Sequence, residues 1–203
     1  IANRIAARND DVAFTIMMGG PALSGYSLLI EQTRAITKAL GKSKQQINST
    51  VKANKKVYRE VMKEQTNWER VKKLVREGLE ATGASSSDAA LNQQLKMVKS
   101  PWFQYYLNYD PAKDLKNVNC PVLAVYGEND TQVPPKPNIQ KLNKIKQKNN
   151  KAAISIETID YANHLFQKSE SGSPAEYQTA PKEFVDDFTE TIIHWTDKIT
   201  GSD

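Results

Sequence analysis

Two side chains suited to proton transfer follow two stretches that have the pattern of buried strands. Asp130 comes after the apolar, partly β-branched run from Cys120 to Tyr126, which ends in a turn rich in Gly, Asn, Asp and Pro. His164 follows the alternating stretch from Ala152 to Ile159. Imidazole titrates near neutral pH, and a carboxylate can orient it as a general base. Asp130 and His164 are therefore a candidate acid and histidine pair.

The elements around this pair predict that the two residues meet. A helix around residues 139–148 separates the two strands, and such a connection is almost always right-handed and joins parallel neighbours. Parallel strands open their exit loops at the same edge of the sheet, where α/β proteins place their chemistry. The sequence thus predicts an α/β fold in which Asp130 and His164 lie within hydrogen-bonding reach.

A third strand is expected near the beginning of the chain. Ile1 to Arg8 have the spacing of a helix, and the segment from Val12 to Met18 is apolar enough to be an internal strand. Gly19, Gly20 and Pro21 end it in a turn. We expect this Gly19-Gly20 turn to lie near the chemistry.

The long middle of the chain, from Leu23 to Asp114, reads as one helix after another with no strand pattern between them. Helix starts are predicted at capping residues, namely Ser43, Asn67, the serines at 85–87, and Ser100 followed by Pro101. Trp102 and Phe103 belong to a cluster of aromatic residues that returns the chain to the sheet. Pocket lining and simple packing both remain open for this cluster.

The C-terminal part is predicted to contain a surface loop and one more helix. Residues 169–179 are rich in Ser, Gly and Pro, and Thr179-Ala180-Pro181 has the pattern of a helix start. The apolar stripe expected to pack on the sheet consists of Phe184, Phe188, Ile192, Trp195 and Ile199. His194 falls on the opposite, solvent-facing side, so His164 is the histidine left for chemistry.

Two segments resemble the last two catalytic loops of α/β-hydrolase-fold serine hydrolases of the esterase-like and serine aminopeptidase-like kind: GENDTQVPP at 127–135 and ANHLFQ at 162–167. The segments ARNDDVAF, MMGGP and SPWF are also similar to that family. In this fold the triad runs Ser, then Asp or Glu, then His along the chain. The resemblance implies that Asp130 is the acid and His164 the base, with Glu128 as a competing acid.

The nucleophile of such a triad is not found in this sequence. The nucleophile elbow has the pattern G-x-S-x-G, which occurs nowhere in the 203 residues. The resemblance therefore implies a C-terminal fragment whose serine and oxyanion hole lie upstream of Ile1. Its expected parts are a helix end and the sixth core strand (1–22), an inserted helical cap or lid (23–114), and a C-terminal core of parallel strands with the acid and histidine loops (115–203).

The resemblance implies cleavage of a small-molecule acyl ester or amide by the whole protein. Trp102 and Phe103 are the candidate substrate-binding residues, on the pocket-lining interpretation of their aromatic cluster. It implies no metal and no organic cofactor. One alternative is a noncatalytic relative that acts as a ligand-binding or partner-binding module. Another is that the lysine-rich helices bind an acidic polymer, which steeply salt-dependent binding would reveal.

Composition argues against a nucleic-acid interface, a membrane span and an internal disulfide. The net charge of +5 comes from lysines spread along amphipathic helices, so we predict a solvated surface and no nucleic-acid interface. No apolar run approaches the length of a membrane span. The lone Cys120 excludes an internal disulfide and an all-cysteine metal site. If the neighbouring strand of Val12 to Met18 is absent, its apolar edge is expected to pair with a second copy in a homodimer.

Overall fold

The computed structural model describes residues 1–83, 87–149 and 151–201. The chain divides into two compact units. The sheet unit comprises Ile1–Leu23 and Asp110–Asp203, and the helical unit comprises Ser24–Tyr109.

The described residues of the sheet unit form three strands: β1 (Thr15–Met18), β2 (Val122–Gly127) and β3 (Ile154–Ile159). The strand order is β1-β2-β3, and both pairings are parallel. Every residue of β2 is buried, as its unbroken apolar run predicts. The predicted α/β class with parallel strands flanked by helices is confirmed.

Nine α-helices lie within the described part of the chain: α1 (Ala2–Ala6), α2 (Gly25–Ala39), α3 (Lys44–Val61), α4 (Trp68–Thr82), α5 (Asp88–Lys99), α6 (Pro101–Asn108), α7 (Ala112–Leu115), α8 (Pro135–Lys146) and α9 (Asp186–Thr200). A 3₁₀ helix spans Pro174–Gln178. The crossover from β2 to β3 contains α8. Its first turn holds Pro135 and Pro137, because the N–H groups there have no partner within the helix.

One face of the sheet packs against α9. Leu123 and Val125 alternate along β2 toward this face, where they join Phe188 and Trp195 of the helix in one buried cluster. Phe14 contacts Trp195 edge to face, with ring centroids 5.6 Å apart. These contacts fix α9 against the strands whose exit loops carry Asp130 and His164.

The helical unit has a core of its own. Val71, Leu91 and Leu107, from α4, α5 and α6, are almost completely buried there. Three predicted caps are present: Ser43 forms a capping box with Gln46, Asn67 caps α4, and Ser100 caps α6. The helix start expected at residues 85–87 lies partly outside the described residues. Of these three serines, Ser87 is described, and it caps α5. The assignment of this unit as an inserted lid stays a prediction.

Two elements differ from the sequence-based expectation. The strand predicted for residues 12–18 begins only at Thr15, opposite Val122, because Pro121 has no N–H with which to continue the ladder. The last helix begins at Asp186, well after Pro181, because the backbone N–H of Val185 bonds the carbonyl of Phe166 and holds this segment against the histidine loop. As a result Phe184 is 54% exposed and lies outside the stripe that packs on the sheet.

Candidate acid and histidine site

The acid loop, residues 128–133, follows β2 and holds Asp130 in one position. Asp130 Oδ1 accepts hydrogen bonds from the backbone N–H groups of Gln132 and Val133, both at 2.8 Å. The N–H of Asp130 itself bonds the carbonyl of Gly127 at 3.1 Å. This is the local turn that an Asp side chain commonly forms with the backbone two or three residues on. The other carboxylate oxygen, Oδ2, is left for a different partner.

The histidine loop, residues 160–168, follows β3 and is fastened at its base. Ala162 and Lys168 form an isolated antiparallel bridge, and Asn163 Oδ1 accepts from the backbone N–H of Leu165 at 2.8 Å. Tyr161 and Phe166 adopt positive φ angles of 55° and 56°, which turn the backbone sharply on either side of His164. The asparagine preceding the histidine is a turn former whose bracing function sequence reasoning missed.

The two loops are joined directly by backbone contacts. The N–H of Glu128 donates a hydrogen bond to the carbonyl of Ile159, and the N–H of Asn129 donates one to the carbonyl of Ala162, both at 2.9 Å. At Gly127 a side chain is excluded, since a Cβ there would lie 2.4 Å from the carbonyl oxygen of Ala162. The glycine at the end of β2 therefore lets the histidine loop approach the acid loop closely.

The structure brings Asp130 and His164 together. Oδ2 of Asp130 lies 2.8 Å from Nδ1 of His164, and the carboxylate side chain is completely buried while the imidazole is 27% exposed. If the carboxylate accepts this hydrogen bond, Nδ1 is the donor, and a neutral imidazole then has its lone pair on Nε2. Among the described residues, none forms a hydrogen bond with Nε2. The arrangement can take a proton at Nε2 and stabilise the resulting charge through Asp130.

Gly19 lies against this pair from β1. Its φ is +57°, and a Cβ at this position would lie 3.1 Å from Nδ1 and Cε1 of His164 and 3.5 Å from Oδ2 of Asp130. The N–H of Gly19 bonds the carbonyl of Val125 at 2.8 Å, which fixes the turn to β2. The turn that the sequence places near the chemistry thus lies beside the imidazole.

Tyr126 of β2 supports the Gly19-Gly20 turn. Its hydroxyl donates a hydrogen bond of 2.8 Å to the carbonyl of Gly20. Burial, together with the negative charge of Asp130, raises the pKa of Tyr126, so the hydroxyl keeps the proton that it donates. The sequence marks Tyr126 only as a strand residue, because nothing local indicates a partner so far away in the chain.

Two other candidates lie apart from the pair. Glu128, the competing acid, turns away and accepts a hydrogen bond of 3.1 Å from the backbone N–H of Tyr161. His194 is exposed on α9. Geometry therefore favours Asp130 over Glu128 as the carboxylate that orients His164.

The predicted substrate-binding aromatics lie in the helical unit. Trp102 is 68% exposed, and its ring stacks on that of Tyr106 with centroids 5.1 Å apart. Phe103 is 3% exposed in the core of the unit, where it contacts Tyr58 edge to face. Their role in binding substrate stays a prediction. Of the two, Trp102 presents a free ring surface.

A third segment braces the acid loop. Asn129 Nδ2 donates to the carbonyl of Ser169 at 2.8 Å, and Thr131 Oγ1 donates to that of Gly172 at 2.7 Å. Glu176 holds this segment together, because its carboxylate accepts from the hydroxyls of Ser169 and Ser171. These hydrogen bonds hold the pKa of Glu176 below its usual range. The predicted surface loop is therefore an ordered brace.

No three His, Cys, Asp or Glu side chains in the described part of the chain come together as a metal site. No helix within the same residues is both long and apolar enough to cross a bilayer.

Comparison with protein families gives a match to a known family. The model of the prolyl oligopeptidase family matches residues 84–190, slightly more than half of the chain and including both Asp130 and His164. Comparisons with curated proteins and with solved structures found no match. The resemblance to α/β-hydrolase-fold serine hydrolases is thereby confirmed at the level of the superfamily, whereas the narrower esterase-like assignment stays a prediction.

Proposed function

The chain belongs to the prolyl oligopeptidase family, whose members are serine hydrolases of the α/β-hydrolase fold, and we propose that Asp130 and His164 are the acid and the base of its catalytic triad. The hydrogen bond of 2.8 Å between a buried carboxylate and a partly exposed imidazole is the observation that carries this proposal. The order of the two residues along the chain, acid before histidine, also agrees with the fold.

In the proposed reaction, His164 Nε2 removes the proton from a serine hydroxyl while the oxygen attacks the carbonyl carbon of the substrate. Asp130 keeps the imidazole in the required tautomer and stabilises the imidazolium that forms. The imidazolium then returns the proton to the leaving alcohol or amine, and a water molecule releases the acyl group by the same steps.

The serine and the oxyanion hole are proposed to come from a segment outside these 203 residues. The sequence contains no G-x-S-x-G elbow, and no serine hydroxyl of the described residues bonds His164. The 203-residue chain by itself is therefore expected not to react with an active-site-directed fluorophosphonate. Stoichiometric labelling of one of its serines would contradict this part of the proposal.

Acyl esters and amides, peptides included, are the proposed substrates. Both bond types react through the same acyl-enzyme, so one triad can cleave either. The family match favours amide bonds, whereas the esterase-like resemblance of the acid and histidine loops favours esters. Turnover of p-nitrophenyl acetate against that of a peptide p-nitroanilide separates the two preferences.

The triad assignment predicts a large and selective loss of activity in the protein that includes the serine-bearing segment. We expect His164→Ala and Asp130→Asn to lower kcat by about 10⁴-fold, because a triad acts as a unit. The matched controls are His194→Ala, an exposed histidine of the same unit, and Glu128→Gln, the neighbouring carboxylate. Both controls are expected to retain near wild-type kcat. Equal activity of His164→Ala and His194→Ala would refute the assignment.

A further inference from the structure

The charge of the chain is divided unequally between its two units. The segment of the helical unit, residues 24–109, contains 15 Lys and Arg against 7 Asp and Glu, a net charge of +8. The remaining residues contain 13 against 16, a net charge of −3. All of the positive excess of the protein therefore resides in the helical unit.

Much of this excess converges on a groove between α3 and α4, which we call the cationic groove. Its volume is about 500 Å³, and its lining includes five cationic side chains: Lys56, Arg59 and Lys63 of α3, and Arg70 and Lys73 of α4. The three residues of α3 are spaced three and four apart, so they share one face of the helix. Lys52, one turn earlier on that face, lines an adjoining hollow of about 260 Å³ that shares Lys56 and Glu77 with the groove.

A buried carboxylate organises one side of the cationic groove. The side chain of Glu60 is only 6% exposed, and its Oε2 lies 2.8 Å from Lys63 Nζ and 3.2 Å from Arg70 Nε. The hydrogen bond from Lys63 holds the pKa of Glu60 below its usual range. One carboxylate thus fixes one cation from each helix without neutralising both, so positive charge remains at a defined place.

The other cations of the groove have no acidic partner within the described residues. Lys56, Arg59 and Lys73 are exposed and form no ion pair there. Glu77 is the second carboxylate of the lining. Five cations against two carboxylates leave the groove with a net charge of +3.

We propose that the cationic groove binds a small, multiply charged oxyanion that carries phosphate or sulfate groups. Lys and Arg are the side chains that recognise such groups, and the volume falls within the range of about 300–1,000 Å³ that is usual for small-ligand sites. The described residues lining it include no aromatic ring on which a nucleic-acid base could stack. Leu74 is their single apolar member, so the groove offers little surface for insertion into a lipid bilayer. All of the lining residues belong to the helical unit.

Calorimetric titration of the 203-residue chain with sodium tripolyphosphate and, separately, with sucrose octasulfate tests the proposal and distinguishes phosphate from sulfate. We expect saturable binding of at least one of them, weakened as salt rises from about 0.15 M to about 1 M because added ions screen the charges. The triple variant Lys56→Gln/Arg59→Gln/Lys73→Gln should bind about tenfold more weakly or worse, since three exposed charge interactions are lost.

Two further variants make the test specific. Lys144→Gln/Lys146→Gln/Lys148→Gln removes three exposed lysines from the sheet unit and should leave the affinity nearly unchanged. Glu77→Gln removes a repulsive carboxylate from the groove and should tighten binding about twofold to threefold. Failure of both anions to bind, or an equal loss in the two triple variants, would overturn the proposal. So would binding of duplex DNA or of anionic phospholipid vesicles when neither small anion binds.

Discussion

Both oxygens of the Asp130 carboxylate have a hydrogen-bond partner. Oδ1 accepts from two backbone N–H groups of its own loop, and Oδ2 contacts Nδ1 of His164. The carboxylate cannot rotate without breaking several hydrogen bonds, so the orientation of the imidazole depends on the acid loop. The absence of a side chain at Gly19 leaves room for the imidazole, because a Cβ there would lie 3.1 Å from Nδ1 and Cε1.

Replacement of Gly19 by alanine is expected to separate the pair. The new Cβ would lie 3.1 Å from the imidazole, and the positive φ costs a non-glycine residue about 1 kcal/mol in addition. We expect Gly19→Ala to displace His164 and to remove the downfield Nδ1 proton signal of the hydrogen-bonded histidine in NMR spectra.

The matched control is Gly201→Ala, in the same unit. Gly201 has a similar φ of +69° and no atom within 4 Å of an added Cβ, so this variant bears the backbone strain without the clash. It should keep the His164 signal. An unchanged signal in Gly19→Ala would show that Gly19 does not position the imidazole, whatever the role of His164 in catalysis.

At the scale of elements, the brace formed by residues 169–178 connects the acid loop to the surface. Gly172 approaches Asn129 so closely that a Cβ would lie 1.8 Å from the carbonyl oxygen of Asn129. The hydroxyls of Ser169 and Ser171 and two backbone N–H groups converge on Glu176. The segment keeps its shape through one carboxylate, and its stability should depend on pH.

The Glu176→Gln variant is expected to lower the free energy of unfolding by about 1 kcal/mol or less at pH 7, since its hydrogen bonds lie near solvent. The pKa of Glu176 is lowered in the folded state, so its stabilising contribution is present above the unfolded value of 4.5 and is lost as pH falls through the lower folded value. The difference from the wild type should therefore shrink toward pH 3. Urea unfolding at several pH values measures it.

Glu183→Gln serves as the control, because Glu183 is an exposed carboxylate of the same C-terminal region. This variant should unfold like the wild type at every pH. A Glu176→Gln difference that grows as the pH falls would have the wrong sign and would contradict the account of the brace.

At the scale of the whole molecule, β1 is an edge strand of the sheet. Within the described residues it pairs with β2 alone. Met18 is 51% exposed at the end of this strand. Unpaired edges of apolar strands tend to pair with other strands.

We expect two copies of the 203-residue chain to pair through β1, antiparallel across a twofold axis. Light scattering at micromolar concentration should give the mass of a dimer. Met18→Lys places a charge on the edge and should yield a monomer, whereas Met97→Lys changes a similarly exposed methionine of the helical unit and should remain dimeric. A monomeric wild-type chain would refute this expectation.

The sequence by itself determined the features that depend on neighbouring residues. The apolar run of β2, the caps at Ser43, Asn67 and Ser100, and the turns that place Asp130 and His164 beyond two strands are all local patterns. The parallel order of β2 and β3 also followed, because the handedness of crossovers leaves few alternatives.

Tertiary structure decided the features that require residues distant in sequence. The residue types alone do not distinguish Glu128 from Asp130, and only the resemblance favours Asp130. The structure separates them by the partner that each one finds: the N–H of Tyr161 for Glu128 and the imidazole of His164 for Asp130. The position of Gly19 beside His164 and the late start of α9 at Asp186 also depend on residues that are distant in sequence. Such contacts depend on how the strands and loops pack in three dimensions, and no local propensity encodes them.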